Sequence, residues 1–221
     1  GQHFDTDMSD IFFDEMDIPR PAYNLAVNSL SHGAMTGRML EKIEEIIIDE
    51  KPNVVLVYGD TNSTLAGALA AKKLHVTIGH VEAGLRSHNL AMPEEVNRIL
   101  TDRISDFLYC PTQAAVDNLR AEGFDGFDVD VVRTGDIMLD AALYYSEKSA
   151  DKAEVPLGLP TGDYALCTLH RAENTDSEER FAAIIEGLKR VHRDIPVVMP
   201  VHPRTQRVLR ERNLDPGVLV I

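Results

Sequence analysis

Five ionisable residues stand where an apolar or periodic run gives way. Asp60 follows Asn53-Val54-Val55-Leu56-Val57-Tyr58, and Glu82 follows Val76-Thr77-Ile78-Gly79-His80-Val81. His170 follows the run 164–169, His202 follows the run 195–201, and Glu94 comes directly after Pro93 at the head of a helical pattern. Carboxylates and imidazoles move protons near neutral pH, so general acid–base chemistry is what this set could perform. The signatures of other chemistries are missing. No Gly-x-Gly-x-x-Gly follows a strand, and there is no Walker lysine loop and no Gly-x-Ser-x-Gly elbow. His80 and Glu82 lack the spacing and further partners of a zinc site, so neither a metal nor a cofactor is expected.

Each residue also has a structural alternative. Asp60 could cap a helix or form an Asx-turn before Thr64. Glu82 could be a plain loop carboxylate, although apolar residues and glycines box it in. Glu94 and Glu95 could serve only the helix dipole, the preferred reading for Glu95. His170 with Arg171 could form a surface turn, and His202 before Pro203 could cap a strand. His3, beside Gln2, has no placement from pattern alone.

The elements that must position these residues alternate along the chain. Strands are expected over 53–58, 76–81, 106–110, 129–132, 164–169, 195–201 and 218–221, the first reading as a buried parallel strand. Helices are expected over 64–73, 93–106, 113–122, 137–147, 178–192 and 205–212, with Pro93 at a first helical position and Gly123 as a stop. Repeated β-α order implies parallel sheets covered by helices, and ligands in such sheets bind at the carboxyl ends of the strands. The stretch 149–163, with Pro156, Gly158, Pro160 and Gly162, reads as a linker. It divides an N-terminal Rossmann-like domain, 1–150, from the beginning of a second one, 151–221. The start at Gly1 without an initiator Met and the apolar strand-like residues at the other end suggest a fragment cut at both ends.

Composition narrows the partners. The chain has 221 residues, 44% of them hydrophobic, which allows a sizeable core. Its formal net charge of −14 argues against nucleic acid or an anionic membrane as a partner, while leaving room for a small phosphorylated ligand. Cys110 and Cys167 sit in apolar runs and read as buried free thiols, and nothing in these residues resembles a signal peptide or a membrane-length apolar run. A cytoplasmic location is expected.

Several segments, in order, carry a resemblance. Val57-Tyr58-Gly59-Asp60-Thr61, Gly79-His80-Val81-Glu82-Ala83-Gly84-Leu85-Arg86, Met92-Pro93-Glu94-Glu95-Val96-Asn97-Arg98, Pro111-Thr112, Thr134-Gly135-Asp136 and Leu169-His170-Arg171-Ala172-Glu173-Asn174-Thr175 are similar to those of non-hydrolysing UDP-N-acetylglucosamine 2-epimerases. The resemblance implies a two-domain, glycosyltransferase-B-like α/β fold with the active site in the interdomain cleft. It implies catalytic roles for Asp60, Glu82, Glu94 and His170, and substrate contacts from Arg86, Arg171 and His202. Gln2 and His3 match a loop that borders a second, regulatory UDP-sugar site in some bacterial members. A homodimer is implied as well.

The implied reaction inverts C2 of a UDP-N-acetylhexosamine, UDP-GlcNAc to UDP-ManNAc, without a cofactor, supplying surface polysaccharide precursors. The C2 proton is not beside a carbonyl, so the route is elimination of UDP across C1–C2 to a 2-acetamidoglucal, then re-addition with C2 inverted. Alternatives are a glycosyltransferase on the same architecture, a hydrolysing 2-epimerase and a non-catalytic UDP-sugar-binding domain. UDP-linked diacetamido uronic acids and 6-deoxy amino sugars remain open as substrates.

Overall fold

Met35, Met39, Ile43 and Ile47 recur every four residues, which lines them along one side of a helix. In the computed structural model, which describes residues 9–150 and 159–221, that helix is α2 (His32–Glu50), preceded by the short α1 (Asp10–Glu15). It was not among the elements expected from sequence. Lys51, in the left-handed conformation at φ 49°, ends it and turns the chain into β1 (Val54–Tyr58). Next comes α3 (Asn62–Lys73), whose Leu65, Ala66, Gly67, Ala68, Ala70 and Ala71 are buried. Alanine is the strongest helix former and its small side chain lets neighbours approach closely. Accordingly α3 packs against α2, β1 and the next strand, β2 (Thr77–Val81).

The unit continues with α4 (Pro93–Ile104), β3 (Phe107–Cys110), α5 (Gln113–Ala121), β4 (Asp130–Arg133) and α6 (Ile137–Ala150). Pro93 occupies the first turn of α4, and Gly123 turns the chain after α5 at φ 84°. All four strands are parallel in the order β1-β2-β3-β4, with Val57 opposite His80 and His80 opposite Leu108. Ile47, Val57, Ala68, Ala70, Ala71 and Ile78 form one core cluster, and Ala83, Leu108, Cys110, Ala115, Leu119 and Phe124 another.

The strand over 53–58 is present, but it is not buried on both faces. Val55 and Val57 face the helices, whereas Val54, Leu56 and Tyr58 are exposed. Side chains alternate along a strand, and among the described residues the helices α2 and α3 cover only one side of this one.

Contacts divide the chain into two compact units, Gly1–Asp151 and Lys152–Ile221. The second holds β5 (Ala165–Leu166), α7 (Ala172–Thr175), α8 (Glu178–His192), β6 (Val197–Met199), α9 (Pro203–Glu211) and β7 (Leu219–Val220). Its three strands are parallel in chain order, over a core of Leu169, Phe181, Ile185, Met199, Val208 and Leu209. These strands are shorter than the apolar runs that announced them. Among the described residues, no helix is long and apolar enough to cross a membrane.

Candidate active site

Asp60 and Glu82 leave the sheet at neighbouring strand ends. Gly59 N donates to Val81 O at 3.0 Å, which extends the β1–β2 pairing one step and places Asp60 beside the end of β2. Thr61, not Asp60, is the N-cap of α3. Thr64 Oγ1 accepts from Thr61 N at 3.2 Å and donates to Tyr58 O at 2.6 Å. The Asp60 carboxylate is therefore not used as a cap, and pairs instead with Arg98. Its carbonyl accepts from Asn97 Nδ2 at 3.0 Å, so two residues of α4 hold Asp60 by main chain and side chain.

Glu82 is held differently. Its backbone has φ 72°, a conformation that costs a residue with a Cβ of the order of 1 kcal/mol or more and that clusters at functional sites. Its half-buried carboxyl lies over Gly59 and makes no hydrogen bond or ion pair among the described residues. Burial pushes this carboxyl above the ordinary carboxylate range, and the negative charges of Asp60 and Asp136 push it further. His80 and Arg98 counter the rise without cancelling it. Asp136 follows β4, and its Oδ1 accepts from Met138 N at 2.9 Å. It was quoted from the sequence only within Thr134-Gly135-Asp136, yet it belongs to the same group of charges.

The first turn of α4 separates the adjacent Glu94 and Glu95. Glu94 is exposed and carries no hydrogen bond or ion pair among the described residues, so these contacts bring Asp60 and Glu82 together but not Glu94. Glu95 is only 1% exposed, and the dipole role preferred for it is incomplete. It accepts from Ser87 N at 3.0 and 3.1 Å and from His88 N at 2.9 Å, and it pairs with Arg98. Burial alone would raise its carboxyl, but these donors outweigh burial and hold it below the usual range. Glu95 thus fastens the loop after β2 to α4, and Arg98 joins it to Asp60. Neither role was legible, because the partners of Glu95 include backbone amides and those of Arg98 depend on the fold.

Beneath the carboxylates runs a buried polar chain. His80 Nε2 lies 2.8 Å from Gly59 O, and Nδ1 lies 2.7 Å from Asp102 Oδ1. Asp102 Oδ2 accepts from Gly84 N at 3.1 Å and from Arg86 NH1 at 2.7 Å. Arg86 also grips Glu122 with two bonds, 2.6 and 2.7 Å. The Arg86 side chain is only 2% exposed. Burial opposes its charge, but Glu122 and Asp102 more than compensate and raise its pKa. A substrate contact was expected of Arg86; the structure instead places its guanidinium inside, among acidic and carbonyl oxygens. Gly84 is fixed there as well, because at φ +77° a Cβ would stand 2.4 Å from Ala115 O.

In the second unit, His170 and Arg171 are exposed beyond β5. His202 is the N-cap of α9, its Nδ1 accepting from Arg204 N at 3.1 Å, so it caps a helix rather than a strand. The rings of His170 and His202 lie 5.6 Å apart, centre to centre. Beside them one guanidinium nitrogen of Arg204 donates to both oxygens of Asp176, at 2.9 and 3.0 Å, and this hydrogen bonding holds Asp176 below its ordinary range. Gln2 and His3 lie outside the described residues. Among the described residues, no group of three or more His, Cys, Asp or Glu is arranged to hold a metal ion.

A family model described as UDP-N-acetylglucosamine 2-epimerase matches residues 1–221. The chain belongs to the UDP-N-acetylglucosamine 2-epimerase family. It is 55% identical over 223 residues to a UDP-2,3-diacetamido-2,3-dideoxy-D-glucuronate 2-epimerase of Pseudomonas aeruginosa, covering 100% of this chain and 62% of that protein. It is 46% identical to a UDP-N-acetylglucosamine 2-epimerase of Methanocaldococcus jannaschii, over 97% of this chain and 60% of that protein. A crystal structure of the M. jannaschii UDP-GlcNAc 2-epimerase in complex with UDP-GlcNAc and UDP matches with a TM-score of 0.90 at 42% identity, covering 100% of this chain and 63% of that one. A UDP-N-acetylglucosamine 2-epimerase from Rickettsia bellii matches with a TM-score of 0.81 at 30% identity, over 100% of this chain and 59% of that one. These likenesses give this member of the family the glycosyltransferase-B-like α/β fold expected from its sequence. The chain spans about three fifths of the length of the relatives it matches.

Proposed function

We propose that the protein inverts C2 of a UDP-linked N-acetylhexosamine, UDP-GlcNAc to UDP-ManNAc, by eliminating and re-adding UDP. One observation carries this reading most directly. Glu82, half-buried and without a hydrogen-bond partner among the described residues, keeps its proton to higher pH than an ordinary carboxyl, beside Asp60. A carboxyl whose pKa is raised is better matched to both giving and taking a proton than an ordinary one. A base removes the C2 proton as the C1–O bond to UDP breaks, leaving a C1=C2 double bond. The reverse addition then delivers a proton to the other face. In this reading Asp60 and Glu82 share the proton transfers with Glu94, whose part rests on family likeness alone, while His170, Arg171 and His202 receive the diphosphate. Arg86 is left to its buried partners. Gln2 and His3 are assigned to a UDP-sugar contact from family likeness alone. The reaction needs no cofactor, and the enzyme works as a cytoplasmic homodimer of two-domain subunits, supplying surface polysaccharide precursors.

Nuclear magnetic resonance of UDP-GlcNAc with the protein in deuterated buffer tests this. Solvent deuterium should enter C2 as UDP-ManNAc appears. Binding without exchange would instead indicate a UDP-sugar-binding domain, and turnover only with an added acceptor would indicate a glycosyltransferase. Release of free N-acetylmannosamine and UDP would indicate a hydrolysing enzyme. A second substrate is favoured by the 55% identity to the diacetamido-glucuronate 2-epimerase, which exceeds the 46% to the M. jannaschii enzyme. A UDP-linked 2,3-diacetamido uronic acid belongs in the same experiment, and the faster C2 exchange names the substrate.

A further inference from the structure

The fully buried ring of His80 has an acceptor at each end. Nε2 lies 2.8 Å from the carbonyl oxygen of Gly59, which has no proton to give. Nδ1 lies 2.7 Å from Asp102 Oδ1. The other oxygen of Asp102 is already taken by two donors, Gly84 N and the Arg86 guanidinium. A neutral imidazole has one N–H and can serve only one of these two acceptors. The other would be left facing a lone pair across a hydrogen-bond distance, out of reach of water, which is unfavourable. Two other histidines show the opposite pattern. His192 Nδ1 accepts from Val197 N at 2.9 Å and His202 Nδ1 accepts from Arg204 N at 3.1 Å, so both keep that nitrogen bare.

We propose that His80 carries protons on both ring nitrogens and acts as a positioning residue that pins the Gly59–Asp60 turn beneath the carboxylates. Gly59 is then held twice, its N–H by Val81 and its carbonyl by His80, so the backbone leading into Asp60 is fixed from β2. The charged groups that act on the ring are Asp102 from α4, which meets it directly and is itself held by Arg86 from the loop after β2, and Glu82, which follows His80 by two residues. The positive ring favours the ionised form of Glu82, against burial, Asp60 and Asp136. The positioning role rests on the acid–base reading of the site given above; the protonation of the ring does not.

Long-range proton–nitrogen correlation spectra of the imidazoles, recorded at about pH 8, where a free histidine with a pKa of about 6.5 is neutral, test the protonation. One imidazole with two protonated nitrogens is expected, and it should vanish in His80→Gln. A spectrum of the unmodified protein in which every imidazole keeps a bare nitrogen overturns the proposal, whether or not the variant folds. For the positioning role, His80→Gln should lower kcat about 10- to 100-fold with KM nearly unchanged, as small misplacements of reacting groups do. An unchanged kcat, or a loss confined to KM, overturns that role. If the ring proves doubly protonated but no C2 exchange occurs with any UDP-sugar, the functional reading falls and the protonation stands.

Discussion

Glu82 rests its carboxyl on Gly59: Oε2 lies 3.2 Å from the point a Cβ at position 59 would occupy, and Gly59 itself stands at φ +66°. Position 59 therefore resists a side chain twice, by its backbone conformation and by the carboxyl above it, which would have to shift.

Gly59→Ala meets both obstacles. The left-handed backbone costs a Cβ-bearing residue about 1–2 kcal/mol, and the added methyl presses on Glu82. Urea unfolding should show a loss of that size. C2 exchange should fall by more than the folded fraction does, because Glu82 is displaced in the molecules that remain folded.

Glu82→Gln separates stability from activity. The folded state raises the pKa of this acid, so folding favours its protonated form. Its contribution to stability is complete below the pKa of the unfolded chain and is lost as pH rises through the folded value. At pH 7.5 the amide, which cannot ionise, should give a higher Tm than the native acid, with the difference shrinking towards pH 4. Turnover should drop at least about 100-fold, within the range ascribed to general acid–base groups. A lower Tm for the variant at pH 7.5 would contradict the assignment.

Arg86→Met distinguishes a buried brace from a substrate contact. Asp102 is fully buried, and the loss of one partner of a buried ion pair commonly costs about 3–5 kcal/mol. Chemical denaturation should show a loss of that order. A variant of native stability whose only defect is weak UDP-sugar binding would restore the role expected from sequence.

His170→Ala and His202→Ala should differ. His170 is exposed, and its removal should leave Tm within about 1 °C, as at most surface sites, while abolishing C2 exchange. His202 caps α9, so its removal should destabilise the protein by about 0.5–1 kcal/mol. Thermal melts of both variants, run beside the exchange assay, check the contrast.

The sheet strands were legible as short runs rich in apolar residues, and Asp60 and Glu82 were legible as the acids just beyond two of them. Helix α2 was missed although Met35, Met39, Ile43 and Ile47 mark it, because Gly33 and Gly37, weak helix formers, interrupt its first turns. The difference between Glu94 and Glu95 could not be read, since side-chain direction in the first turn decides which of two adjacent acids meets the amides of Ser87 and His88. His80, Asp102 and Arg98 act across distances of 16 to 38 residues in sequence, which no local pattern reports.

The bond from Gly59 N to Val81 O ties the two acids to the sheet's hydrogen-bond ladder rather than to loop chemistry. The ladder behaves as a ruler: sliding β1 against β2 by one residue would turn His80 away from its carbonyl and carry Asp60 out of step with Glu82. Length changes in the exposed connection at His75 leave that alignment intact, whereas a single deletion inside Val54–Tyr58 undoes it.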